Sequence, residues 1–179
     1  MFVREYLRVM EYYYPFADKV NPLLFQQVKE LGDSSTRPSN AHTSKFTGWN
    51  LNTKEVNNLV RWVGDLITRD FGREIISRDI FFKCVEVWGA LYNEGDYITP
   101  HHHLPSLYSF VYYINAPKGS SPFTLEGEDI PVRAGKVLYF KGDAIHEVKP
   151  SGVDGRCMLT GNIVYVPKQT LDKSSETVV

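Results

Sequence analysis

A mainly β fold, a jelly roll or related barrel with N-terminal helices buttressing one sheet, is predicted by three observations. From Asp79 to Val166, short runs rich in Val, Ile, Tyr and Phe recur between Gly, Pro and Asp punctuation. Ahead of them lie two stretches of helical periodicity. The 179 residues, 42% of them hydrophobic, suffice for one sizeable core but not for two ordinary domains. A single domain is therefore expected over residues 1–167, with a helical support region at 1–78 and the β core at 79–167. The polar end, "KQTLDKSSETVV", cannot bury enough surface to hold itself in place and is expected to be a flexible tail over 168–179.

The first helix is predicted over Asn21 to Gly32, where Asn precedes Pro, apolar residues recur at Leu24, Val28 and Leu31, and a glycine closes the run. The second lies in "NTKEVNNLVRWVGDLITRDFG". There Val56, Leu59, Val60, Val63, Leu66, Ile67 and Phe71 form one stripe, Thr53 offers an N-cap and Gly72 an end. Strands are predicted near 80–92, 96–103, 107–115, 122–126, 130–133, 136–141, 144–149 and 156–166. Turns fall at "NEGD", "APKGSS", "LEGED", "KGDA" and "PSGVDG". The aromatic "EYYYPF" reads as a strand or turn that packs its rings on the core. The Ser/Thr/Gly-rich "NAHTSKFTGWNL", with His42 and Trp49, reads as a plain connection rather than a lid.

Composition narrows the partners. The 20 basic and 21 acidic residues are interspersed and give a net charge of -1, so no basic footprint for nucleic acid or anionic lipid is visible. No apolar run is long enough to span a bilayer, and the charged N-terminus "MFVREYLRVMEYYY" does not read as a signal peptide, so the mature chain is expected to start at Met1. The two cysteines, Cys84 and Cys157, lie in apolar runs without C-x-x-C spacing, as buried free thiols of a cytoplasmic protein would.

The segment "TPHHHLPS" carries the chemistry. Alternation along a strand puts His101 and His103 on one face and His102 on the other. An H-x-H pair on a strand brings two imidazoles to one point, and a third ligand from a distant strand completes a facial set with open positions opposite. His146, in "GKVLYFKGDAIHEVKP", is the candidate third ligand. Ten residues later Arg156 opens "RCMLTGNIVYV", whose alternation sets Arg156, Met158, Thr160 and Asn162 on one face. A guanidinium inside a barrel requires an anion, supplied by protein carboxylates or by a bound carboxylate ligand.

The order "ALYNEGDYITPHHHLPSLYSFVYYINAP", "PVRAGKVLYFKGDAIHEVKP", "GRCMLTGNIVYV" resembles the iron(II)- and 2-oxoglutarate-dependent oxygenases. It is most similar to their prolyl-hydroxylase-like branch and to small bacterial and phage members. The resemblance covers residues 85–166. It implies a double-stranded β-helix with His101, His103 and His146 on Fe(II). It implies Arg156 on the distal carboxylate of 2-oxoglutarate, Tyr112 donating to that carboxylate and Tyr92 lining the co-substrate pocket. Asn162, on the same face as Arg156, is read either as a second residue on the co-substrate or as a side chain that only satisfies backbone groups. The implied reaction consumes O2, decarboxylates 2-oxoglutarate to succinate and hydroxylates a peptide side chain or small metabolite. Two positions depart from the family pattern: His103 stands where an acidic ligand is usual, and Met158 where Ser or Thr is usual, with Thr160 facing the same way.

A cupin is the alternative, because "GDYITPHHH" fits that family's opening and cupins also bind metal with three histidines in a β barrel. A cupin reading makes the chain a metal enzyme independent of 2-oxoglutarate or a small-molecule binder. It expects a glutamate after the histidines, which "LPSLYS" does not supply, and has no use for Arg156. A silent barrel holding structural zinc is the third reading.

Overall fold

Strands buried on both faces read as continuous apolar runs, and "YSFVYYI" at 108–114 is one, buried at every position. Two layers must therefore cover it. The computed structural model, which describes residues 3–4, 9–32, 38–75 and 80–167, shows what they are. The elements run β1 (Val3–Arg4), β2 (Val9–Tyr13), α1 (Ala17–Leu31), β3 (Ala41–His42), β4 (Lys45–Phe46), α2 (Lys54–Ile75) and β5 (Ile80–Tyr92). There follow β6 (Tyr97–His101), β7 (Tyr108–Asn115), β8 (Phe123–Leu125), β9 (Glu128–Ile130), β10 (Lys136–Lys141), β11 (His146–Val148) and β12 (Arg156–Pro167).

The strands form a seven-stranded sheet, β1-β2-β10-β7-β12-β5-β4, and a five-stranded sheet, β3-β6-β11-β8-β9. Residues of the large sheet alternate between two cores. Tyr108, Phe110, Tyr112, Val137, Tyr139 and Leu159 face the helices, packing with Leu24 and Val28 of α1 and Val56, Leu59, Val63 and Ile67 of α2. Val111, Tyr113, Leu138, Phe140, Met158, Ala90 and Tyr92 face the small sheet, packing with Phe123, Leu125, Ile130 and Val148. This is a jelly roll with helices on one outer face, as the sequence predicts.

Several boundaries differ. α1 begins at Ala17, not Asn21, so Pro22 lies inside the helix. The backbone bond that Pro22 forfeits is offset because Ala17 and Val20 extend the apolar stripe onto the core. The Asn21 side chain accepts a hydrogen bond from the Tyr112 hydroxyl. Leu31 is 52% exposed and is not a core residue. In α2, Thr53 caps as expected, its Oγ1 accepting from the Val56 N–H at 3.3 Å, but the helix runs past Gly72 to Ile75. The strand expected over 96–103 ends at His101, and the one expected at 130–133 lies at 128–130. "EYYYPF" contributes the end of β2, beside β10. The tail expected at 168–179 lies outside the described residues, and so does the side chain of Phe71.

The segment around His42 is not free. β3 adds to the small sheet beside β6, β4 adds to the large sheet beside β5, and the Gly89 N–H donates to Thr47 Oγ1 at 2.9 Å. The connection thus straps one edge of both sheets, and Phe46 and Trp49 pack on Trp88. Among the described residues no helix is long and apolar enough to cross a membrane.

The link from β6 to β7 is held against the β10–β11 turn at Gly142. The His103 N–H donates to the Gly142 carbonyl at 2.7 Å, and the Gly142 N–H donates to the Leu107 carbonyl at 2.9 Å. A Cβ at Gly142 would lie 2.0 Å from the Ser106 carbonyl oxygen. Gly142→Ala is therefore expected to cost about 1–3 kcal/mol through overpacking against backbone. The measurement is the midpoint of denaturant unfolding at unchanged slope; an unchanged midpoint would show that the 103–107 link yields freely.

Candidate active site

His146 opens β11 directly opposite His101 on β6, so a cross-strand pair supplies two imidazoles at one place. His103 lies just beyond the end of β6 and returns to the same point because its backbone is held by Gly142. Ring centroids are separated by 4.3 Å for His101 and His146, 4.9 Å for His103 and His146, and 5.0 Å for His101 and His103. Among the described residues these three form the group able to hold a metal ion, their ligand atoms all within 4.8 Å of one another. His102 is exposed, with Nδ1 accepting from the Leu104 N–H at 3.3 Å, and faces away.

The tautomers follow from local contacts. Nδ1 of His101 lies 2.9 Å from the Thr99 carbonyl and Nδ1 of His146 lies 3.0 Å from the Ala144 carbonyl. Both Nδ1 atoms must carry the proton, which leaves each Nε2 lone pair free for a cation. Nε2 of His103 and His146 are 3.1 Å apart, a distance that calls for a proton or a cation between them. Burial, reinforced by the neighbouring imidazoles, depresses all three: His146 to about 3, His103 to about 4 and His101 below its ordinary value. The site is therefore a set of neutral donors, the state a metal requires. Its walls are largely apolar, with Trp88 5.7 Å from His103 and Phe140 4.8 Å from His146 between ring centroids.

The second half of the site lies on the large sheet. Gly155, at φ 86°, ends the turn before β12, and its N–H donates to the Tyr92 carbonyl at 2.9 Å, which aims Arg156 inward. Arg156 is 0% exposed. Its Nε, Nη1 and Nη2 have no hydrogen-bond partner, and neither do the hydroxyls of Tyr92 and Tyr113. The guanidinium carbon lies 5.4 Å from the Tyr92 ring and 5.5 Å from the Tyr113 ring. Burial raises the Tyr113 hydroxyl to about 12, Arg156 pulling the other way, so it remains a donor. Five buried polar atoms converge with nothing to bond. Buried polar atoms are ordinarily satisfied, so this cluster fits an anionic ligand with several oxygens.

Each sequence-predicted residue can now be placed. His101, His103 and His146 are brought together, and Arg156 and Tyr92 share the second chamber. Tyr112 does not join them. It lies on the helix-facing side of β7, donating to Asn21, because the inward register opposite Met158 belongs to Tyr113. Tyr113 takes the position that the sequence reading gave to Tyr112. Asn162 is inward but engaged, its Oδ1 accepting from Ser109 Oγ at 2.9 Å and its Nδ2 donating to Glu86 at 2.7 Å. Its amide is thus engaged by protein partners in this structure. Trp88, a wall of the histidine site, went unnoticed; its parity with Ala90 and Tyr92 on β5 was the available signal.

No protein-family model matches the sequence, and no curated protein does. Solved structures do match. A prolyl-4-hydroxylase from Pseudomonas putida aligns with a TM-score of 0.67 at 20% identity, over 87% of this chain and 91% of that one. The viral collagen prolyl hydroxylase of Paramecium Bursaria Chlorella virus-1, in its 2OG complex, aligns with a TM-score of 0.68 at 13% identity, over 87% and 95% of the two chains. The chain has the prolyl-hydroxylase fold. The non-heme alpha-ketoglutarate-dependent epimerase of nogalamycin biosynthesis shares it, with a TM-score of 0.63 at 13% identity over 90% and 79% of the two chains. The fold thus serves more than one reaction.

A histidine whose folded-state pKa lies below its ordinary 6.5 leaves the unfolded chain binding more protons as pH falls. Stability from the triad is complete above about pH 6.5 and lost as pH drops toward the folded values. The melting temperature of the metal-free protein is expected to fall between pH 6.5 and 5, and to fall less in His146→Gln. Parallel pH profiles for the two proteins would contradict the depressed values.

Proposed function

We propose that the chain is an iron(II)- and 2-oxoglutarate-dependent dioxygenase of the prolyl-hydroxylase-like group, hydroxylating a peptide side chain or small metabolite. The observation that carries this reading is the orphaned Arg156, buried with two orphaned tyrosyl hydroxyls in the same barrel as three neutral histidines. Charge accounting strengthens it. Among the described residues no carboxylate joins the triad, so a divalent cation there and the Arg156 guanidinium would leave the interior with uncompensated positive charge, and a dianion answers both.

In this reading His101, His103 and His146 hold iron(II) through Nε2. Bound iron supplies the redox chemistry that couples O2, decarboxylation of 2-oxoglutarate to succinate and oxidation of the substrate. The chain's own work is positioning. Arg156 offers a two-pronged fork to the distal carboxylate, Tyr113 and Tyr92 donate their hydroxyl protons to it, and the rings of Trp88, Phe123 and Phe140 keep the chamber dry. The Thr99 and Ala144 carbonyls hold two imidazoles in their ligating tautomers. The two free thiols, Cys84 and Cys157, suit a reducing, cytoplasmic setting.

A metal barrel independent of 2-oxoglutarate is favoured by one observation, the absence of an acidic ligand. The Arg156 chamber has no role in it.

Arg156→Met separates the readings. Replacing a buried, unpaired charge with an apolar side chain of similar length should raise the melting temperature of the ligand-free protein. It should also weaken 2-oxoglutarate binding by about 100-fold or more, the loss expected for one partner of a buried charge pair. Calorimetry on the metal-loaded protein and anaerobic absorption of the iron(II) and 2-oxoglutarate mixture are the measurements. Wild-type protein that binds metal but no 2-oxoglutarate would overturn the proposal. His146→Ala is expected to abolish metal binding while His102→Ala leaves it intact; near-equal losses would refute the ligand assignment.

A further inference from the structure

The two half-sites do not communicate in this structure. The cavity at the histidines measures about 30 Å³, room for about two or three waters at roughly 10–15 Å³ each and far below the roughly 300 Å³ at the small end of ligand pockets. Thr160 and Val111 line it, while Arg156, Tyr92 and Tyr113 do not. Between them lie inward side chains of the large sheet, in the core it shares with the small one. On β12 the inward residues run Arg156, Met158, Thr160, and of the two that touch the cavity Met158 is the one next to Arg156. Its neighbours in register are Ala90 on β5 and Tyr113 on β7. Of these three, Met158 alone is unbranched, flexible and free of a ring or a bare methyl, and it is buried.

We propose that Met158 is a movable partition, and that a ligand reaching from the histidines to Arg156 binds only when this side chain swings aside. The inference rests on the co-substrate reading above and adds a specificity-determining residue to it. Met158 sets a barrier that every bridging acid must meet, so the wild-type protein binds more weakly than its contacts allow, by the fraction of molecules already open. Small monoacids that reach only the histidines do not meet it.

The chain has three methionines, Met1, Met10 and Met158, so protein carrying 13C-methyl methionine and loaded with zinc gives a readable probe. Adding 2-oxoglutarate is expected to shift the Met158 methyl signal, identified by its loss in Met158→Ala, and to leave Met10, on the helix-facing side of β2, in place. By calorimetry, Met158→Ala and Met158→Thr are expected to bind 2-oxoglutarate about tenfold more tightly, as for a competent state populated one time in ten, with zinc affinity unchanged. A Met158 signal unmoved at saturation, or variants that bind no more tightly than wild type, would overturn the partition while leaving the co-substrate reading intact. No binding by any form would overturn the reading and the partition together.

Discussion

A guanidinium sealed inside a β sandwich is the constraint around which this molecule is arranged. Arg156 is wholly buried and has no carboxylate to answer it. Leaving a charge in that state costs several kcal/mol, even after relaxation and the attraction of aromatic faces. A sequence free to optimise stability alone would place an aliphatic residue there. The surroundings instead hold the charge in place. A left-handed glycine turns it inward, tyrosine rings flank it, and a sheet backed by two helices closes off water. In the proposed reading, stability is set aside at one position for a ligand that would restore it on binding.

The metal half of the site follows the same logic with opposite means. Three imidazoles are held neutral by burial, two of them by carbonyls that fix the proton on Nδ1. Nothing anionic from the protein is added to them. In a site with one acidic ligand, part of the cation's charge is already cancelled before co-substrate arrives. Among the described residues no carboxylate does this, so in the proposed reading an incoming dianion would meet the full charge of the metal at one end and that of Arg156 at the other. The missing carboxylate and the unpaired arginine are thus one electrostatic arrangement seen from two places, and each makes the other less arbitrary.

The site was legible in the sequence to the extent that alternation could be anchored. Alternation pairs His101 with His103, and although the strand ends at His101 the Gly142 carbonyl holds the His103 backbone where the pair is kept. Arg156, Met158, Thr160 and Asn162 were correctly placed on one inner face because the arginine itself marks which face is which. Tyr112 and Tyr113 offered no such anchor. In a strand buried on both sides every residue is apolar or aromatic, so the period of two survives in the geometry but vanishes from the composition. The choice between the tyrosines could be made only by register with Met158. For Asn162 parity gave the direction, but its partners Ser109 and Glu86 are distant in sequence and could not be read from it. β1 and the straps β3 and β4 escaped notice because two-residue strands carry no periodicity, and Pro22 obscured the true start of α1 because tertiary packing outweighed one lost hydrogen bond.

The placement of the two half-sites has a mechanical consequence for the fold. The histidines belong to the five-stranded sheet and the link beyond it, whereas Arg156, Tyr92 and Tyr113 belong to the seven-stranded sheet. The large sheet is braced by helices on its outer face; the small sheet is built of strands of two to five residues. A metal alone ties only β6 to β11. A ligand that grips the metal at one end and Arg156 at the other spans the sandwich and ties the weaker sheet to the stronger. The interior layer that it must cross is the one occupied by Met158. Cohesion between the sheets and occupancy of the site are therefore coupled through the same few side chains, which is why an apolar, adaptable residue can occupy that layer in the ligand-free protein without leaving a void between two otherwise incomplete halves.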